Sequence, residues 1–267
     1  MKPLVRTAAV AMAGLVTMTG ATLAKDVKIL VDDAYKPYTF VDENGKITGV
    51  YPQVFREIDD KIDKYNIQLE AVPWKRATKM VKMGRDFAVA PPYYTEKRTE
   101  WMQYSEKILE EKVVTYCRDE VIDEPRPNWP EDYEGLTVGN NQGFITPGQE
   151  FFDMVDAGKI NLQEAPNTQL NLRKLIAGRV DCYVNARASI VWNLAMLEQA
   201  GKYDPDTTKL VESAVVKANW GYIGFSRKKN PEYKEDFMQT LNAEIKAMKQ
   251  QGRVREIFDT FLQNAGS

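Results

Sequence analysis

Histidine is absent from the 267-residue chain. That removes the commonest general base and metal ligand, and it excludes Ser-His-Asp chemistry and histidine-bound zinc. A basic excess is absent too: 36 Lys and Arg stand against 38 Asp and Glu, a formal net charge of −2. A nucleic-acid binder needs cations to offset phosphates, so no nucleic-acid partner is expected. No apolar run approaches the roughly 20 residues of a membrane span. Cysteine is nearly absent, with only Cys117 and Cys182. Two thiols without a histidine make a poor metal site, and neither a metal nor a cofactor is expected.

The N-terminus reads as a targeting segment. Lys2 and Arg6 form a positive region, and Ala8–Val16 is apolar but short. Thr22-Leu23-Ala24 then offers small residues where a signal peptidase reads. Cleavage after Ala24 leaves 34 basic and 38 acidic residues in an exported, periplasmic chain. No cysteine at that point marks a lipoprotein. In an oxidising compartment Cys117 and Cys182 read as a disulfide, the alternative being two small buried thiols.

The rest alternates. Val27–Asp33, "VKILVDD", reads as a buried strand, and Asn44-Gly45 as a turn. Tyr51, Phe55, Ile58 and Ile62 fall on one helical face. "NIQLEAV" is a second strand. Ala77, Met80 and Val81 lie on a helix that stops before Gly84, and "DFAVA" follows as a third strand. This order implies an α/β fold with parallel neighbours. The grammar of "MVKMGRDFAVA" (Met80–Ala90) recurs in "KLIAGRVDCYVN" (Lys174–Asn185), which suggests two lobes of related construction. Glu110–Glu120 is a long extended run, and Glu124–Gly135 is a proline-rich surface loop leading between lobes. Asn230 is placed as an N-cap with Pro231 first in the helix. Phe237, Leu241, Ile245 and Met248 form its stripe, Gly252 ends it, and Val254, Ile257, Phe258 and Phe261 continue in another helix.

The stretch "APPYYTEKRTEWMQYS" (Ala90–Ser105) ends the third strand in two prolines and two tyrosines, then presents Arg98 three residues after Thr95. A guanidinium is permanently charged and planar, and it pairs bidentately with a carboxylate. Arg98 is therefore either a ligand anchor at a cleft or a solvated surface charge.

These residues resemble a family. "DDAYKPYTFVDENGKITGVYPQVFREI" (Asp32–Ile58) is similar to the opening of family 3 extracellular solute-binding proteins, the polar amino-acid class that serves ABC importers. The resemblance runs on through "PWKRATKMVKMGRDFAVAPPYYTEKRTEWMQYSEKI", with its Thr-x-x-Arg, and through "GLTVGNNQGF", "GRVDCYVN" and "NWGYIGFSRKKNPEY". It implies a two-lobed periplasmic binding protein type II fold. Lobe 1 would hold residues 25–115 and 219–267, and lobe 2 residues 116–218, joined by two hinge strands around a cleft.

The resemblance assigns Arg98 to the ligand carboxylate. It places Tyr35 and Trp74 as aromatic walls, Asp32 as a strand-end acid at the cleft, and Tyr93 as a neighbour of the ligand. From lobe 2 come Gln142 and Gly143, in an Asn140–Gly143 loop between a strand and a helix start, where backbone N–H groups favour anions. Asn185 and Arg187 flank Ala186, which stands where relatives place an Asp for the ligand ammonium. A methyl cannot neutralise an ammonium. Pro91, Pro92, Tyr93 and Tyr94 replace small hydrogen-bonding residues, and proline has no N–H to donate. Both departures favour an atypical carboxylate or a modified amino acid. The expectation is a monomeric periplasmic binding protein that delivers a small carboxylate-bearing ligand to a membrane ABC permease. The alternatives are an enzyme on the same fold, resembling cyclohexadienyl dehydratase, whose acid or base would fall on Asp32, another acid or a tyrosine, and a ligand-sensing subunit.

Overall fold

A computed structural model describes residues 24–122 and 124–263. All but the last residue of the expected signal peptide, residues 1–24, lie outside the described residues. Chain order is β1 (Lys25–Asp32), β2 (Ala34–Tyr35), β3 (Thr39–Val41), β4 (Ile47–Thr48), α1 (Val50–Asp59), β5 (Tyr65–Val72), α2 (Trp74–Lys82), β6 (Ala88–Ala90), α3 (Glu96–Thr99), β7 (Met102–Tyr104) and β8 (Leu109–Arg118). It continues with β9 (Thr137–Asn141), α4 (Gln149–Asp156), β10 (Asn161–Ala165), α5 (Thr168–Ile176), β11 (Cys182–Ala186), α6 (Arg187–Gln199), β12 (Leu210–Gly221), β13 (Gly224–Ser226), α7 (Lys234–Gln250) and α8 (Arg253–Gln263).

Two five-stranded sheets share one plan. The first runs β5-β1-β6-β13-β7 and the second β10-β9-β11-β8-β12. In each, three parallel strands are followed by two antiparallel ones. The central strands are near-continuous apolar runs because both faces are covered; Val27, Ile29, Leu30 and Val31 of β1 are 0% exposed. The repeated grammar corresponds to α2–β6 and α5–β11. Each helix ends at a glycine of positive φ, Gly84 at 75° and Gly178 at 66°, which turns the chain back toward the sheet. An added Cβ at Gly178 would also meet the Arg118 guanidinium.

The pair β8–β12 joins the two sheets. It is antiparallel from Leu109↔Gly221 to Leu210↔Arg118, so both strands belong to the second sheet along their length. Cys117 and Cys182 sit opposite one another on β8 and β11 and form a disulfide. The stripe of α1 and those of α7 and α8 pack under the first sheet in one cluster.

Two local expectations are corrected. The helix placed at Asn230 and Pro231 begins at Lys234. Pro231 instead starts a turn, its carbonyl accepting from Lys234 N at 3.0 Å, while Lys234 is drawn under β13 to donate from Nζ to the Ser226 carbonyl at 2.9 Å. The segment Glu124–Gly135 is more than surface loop. Trp129 stacks on Phe151 at 5.1 Å, and Tyr133 is 0% exposed with its hydroxyl on Thr115 and Ser213. Aromatic burial fixes this segment to the second lobe.

Candidate functional site

The site forms where β1 and β6 end. Asp32 is the last residue of β1, and Pro91–Tyr93 continue from β6 to an antiparallel bridge between Tyr93 and Gly221. The Thr-x-x-Arg spacing then has a local meaning. Thr95 N-caps α3, its hydroxyl accepting from Arg98 N at 3.2 Å, and so fixes the turn that carries Arg98. Trp74 opens α2 and lies with its ring 6.0 Å from the Arg98 guanidinium carbon.

Asp32, Tyr35, Trp74, Pro91, Tyr93 and Arg98 line a cavity from the first lobe, and Phe144, Ile145 and Thr146 close it from the second. Its volume is about 20 Å³, room for a single water. Phe144 meets Tyr35 edge-on at 5.2 Å and Trp74 at 6.0 Å. Gly143 packs on α2, where a Cβ would come 3.3 Å from Lys75 Cβ. Trp192 of α6 approaches Phe40 of β3 at 6.5 Å, a second contact between the lobes.

Arg98 is 8% exposed, and among the described residues no carboxylate pairs with it. Its Nη1 donates to the Tyr93 carbonyl at 3.1 Å. Burial draws its pKa down, opposed by Tyr104, yet an arginine stays charged. Burial pushes the Asp32 carboxyl up to about 7, against the Ala34 N–H that donates to it at 3.0 Å. Behind the cavity lies Glu111 of β8, 1% exposed, whose carboxylate accepts from the hydroxyls of Tyr35, Tyr51 and Tyr93.

The structure thus brings Asp32, Tyr35, Trp74, Tyr93 and Arg98 together around one cavity. The other four candidates lie outside its lining. Asn141 is followed by a turn rather than a helix start, and the next helix begins only at Gln149. The Gln142 N–H is already bonded to the Ala165 carbonyl at 2.9 Å, and the Gly143 N–H faces Glu164 Oε1 at 3.4 Å. Asn185 is 0% exposed and turns into the second lobe, donating to Thr168 at 3.0 Å and Tyr183 at 2.6 Å. Arg187 opens α6 and points to β12, where it grips Glu212 with two bonds, Nε to Oε2 at 2.7 Å. Its charge is already neutralised there.

Phe144, Ile145 and Thr146 carry no site signal in the sequence, Glu111 only its place on an apolar strand face, and Tyr51 shows there only as one of the apolar face of α1. Thr146 is 1% exposed and its hydroxyl has no partner among the described residues, although it lines the cavity. No group of three or more acids or cysteines among the described residues is arranged to hold a metal ion.

Two lobes of one plan, a crossing strand pair and a cleft with a buried cation define a bilobed binding fold. The chain belongs to the bacterial extracellular solute-binding proteins, family 3, whose model matches residues 27–264. No match was found among curated protein sequences. Among solved structures, a histidine kinase sensor domain with similarity to periplasmic binding proteins aligns with TM-score 0.74 and 19% identity, over 90% of this chain and 97% of that one. GshT of Streptococcus mutans, described in glutathione import with the cystine ABC importer TcyBC, aligns with TM-score 0.73 and 18% identity, over 90% and 95%. The ancestral amino acid-binding protein AncCDT-1, a precursor of cyclohexadienyl dehydratase, aligns with TM-score 0.67 and 15% identity, over 89% and 95%. At these identities the likeness is one of fold: the two-lobed type II architecture of periplasmic binding proteins.

Proposed function

We propose that the protein, exported after cleavage near Ala24, captures a small carboxylate-bearing ligand between residues 25–115 with 219–267 and residues 116–218, and delivers it as a monomer to a membrane ABC importer. The observation that carries this reading is Arg98, a buried guanidinium without a carboxylate partner among the described residues, at a cavity walled by both lobes. An unpaired buried charge is unfavourable, and a ligand carboxylate supplies the counter-charge bidentately. Thr146 adds from the opposite lobe a hydroxyl without a partner among the described residues. Because Phe144 fills the space between Tyr35 and Trp74, an amino-acid-sized ligand enters when the loop bearing it draws back, a hinge motion. A thermal-shift screen with L-arginine, L-glutamine, glutathione and succinate tests this. A ligand that binds only the folded state raises the melting temperature. At least one carboxylate should do so for the wild type and not for Arg98→Ala. A shift unchanged in Arg98→Ala would remove the anchor from the account.

A second reading has its own observation. The Asp32 carboxyl, pushed up to about 7 inside the cavity, is poised to exchange a proton near neutral pH. An enzyme on this fold would use it as general acid or base. Product analysis of any ligand found in the screen separates the two, since a binding protein returns its ligand unchanged.

A further inference from the structure

The cavity's tyrosines are held by an acid behind them, on the strand that crosses between the lobes. Tyr35 donates to Glu111 Oε2 at 2.6 Å and Tyr93 to the same oxygen at 2.6 Å, while Tyr51 of α1 donates to Oε1. The hydroxyl oxygens of Tyr35 and Tyr93 lie 3.1 Å apart. Among the described residues Tyr38 is the remaining titratable group that interacts with the carboxyl. Among the described residues Glu111 has no cation beside it. From β12 comes Gly221, where a Cβ would lie 1.9 Å from the Tyr51 hydroxyl and 3.2 Å from Glu111 Oε1. The absence of a side chain there lets the two crossing strands close on the cluster.

A phenol carries one proton, and an ionised carboxylate only accepts. With Glu111 ionised, the charge draws the O–H groups of all three phenols, because a hydrogen bond to a carboxylate is stronger than the 3.1 Å contact between the two neutral hydroxyls of Tyr35 and Tyr93. Tyr35 and Tyr93, which line the cavity, then have only lone pairs left for a further partner. With Glu111 protonated, the acid donates to one phenol, and that phenol's O–H is released. We propose that Glu111 is a positioning residue of the pocket, and that a proton on its Oε2 decides whether the Tyr35–Tyr93 pair offers the ligand acceptors alone or also one donor. A carboxylate ligand is then taken up together with a proton. This last step rests on the capture reading above; the switch itself does not. Burial pushes the Glu111 carboxyl up to about 7, against the pull of its three phenol hydrogen bonds.

Infrared difference spectra of the full chain without ligand, recorded from pH 5 to pH 9, test the switch. A protonated-carboxyl band and a tyrosine ring band should titrate together around neutral pH, and Glu111→Gln should remove that component. Asp32, which also titrates in this range, persists in both proteins and is subtracted with Asp32→Asn. Tyr51→Phe should raise the midpoint, because the charged form loses one donor, and Tyr51 does not line the cavity. It decides the matter if Glu111→Gln fails to fold. Overturning results are no titration that Glu111→Gln removes, or a midpoint that Tyr51→Phe leaves in place or lowers. With a carboxylate from the screen, and in the Asp32→Asn background so that Asp32 adds no proton of its own, affinity should fall about tenfold per pH unit above the midpoint, as one linked proton requires, and adding Glu111→Gln should remove that slope. If no carboxylate binds, the capture reading fails while the ligand-free titration still decides the role of Glu111.

Discussion

Asp32 offers a test that needs no ligand. Its carboxyl is 5% exposed at the end of β1, and burial raises it from 3.8 to about 7. The folded protein therefore holds this proton roughly a thousandfold more tightly than the unfolded chain, which is worth up to ~4 kcal/mol. The sign follows from proton counting. Between pH 4 and 7 the native state carries a proton that the unfolded state has lost, so stability falls as pH rises through this window and then levels off. Asp32→Asn keeps an oxygen for the Ala34 N–H and removes the titration. Urea unfolding of both proteins from pH 4 to pH 8 gives the comparison. The variant should gain on the wild type with rising pH, by about 2–4 kcal/mol across the range, the lower figure allowing for hydration through the cavity. Parallel stability curves would refute the reasoning, since a carboxyl that titrates normally has no such term.

Other outcomes follow from the same contacts. Reducing the Cys117–Cys182 bond, which closes 65 residues of chain, should cost ~4 kcal/mol in the loop-entropy picture; mass analysis before and after reduction with alkylation checks the bond, and unfolding of a double Ser variant checks its weight. Gly221→Ala should destabilise by several kcal/mol, on the order of 3, because its Cβ would overlap the Tyr51 hydroxyl; a melting temperature equal to the wild type's would contradict this. Arg98→Ala should lose about 2–5 kcal/mol of carboxylate affinity with the fold intact, measured by calorimetry. Arg98→Lys should recover only part, since an ammonium lacks the fork geometry.

Much of this was legible in the residues. The strands around "VKILVDD" and "DFAVA" announce themselves because buried parallel strands are unbroken apolar runs. Tyr51, Phe55 and Ile58 mark the inner face of α1, all 0% exposed. The Thr-x-x-Arg spacing survives as a cap and its third residue. Arg187 follows Ala186 in the chain but lies outside the lining of the Arg98 cavity, because a helix begins there and its side chain is held by Glu212. Glu111 left a signal that went unused. In "LEEKVV" the alternation puts Glu111 on the same face as Leu109 and Val113, both buried, and an acid on an apolar face needs donors around it. Those donors come from β2, α1 and the turn after β6, which no local pattern connects. Phe144 and Thr146 sit in a turn whose position against the other lobe depends on how the crossing strands are set.

The central claim is that the cleft holds a small carboxylate anchored on Arg98. Mass spectrometry of ligand released by unfolding gently purified wild-type and Arg98→Ala protein tests it most directly. The account predicts one small carboxylate in near-equimolar amount from the wild type and little or none from the variant. Release of a ligand without a carboxylate, or of equal amounts from both proteins, would contradict it.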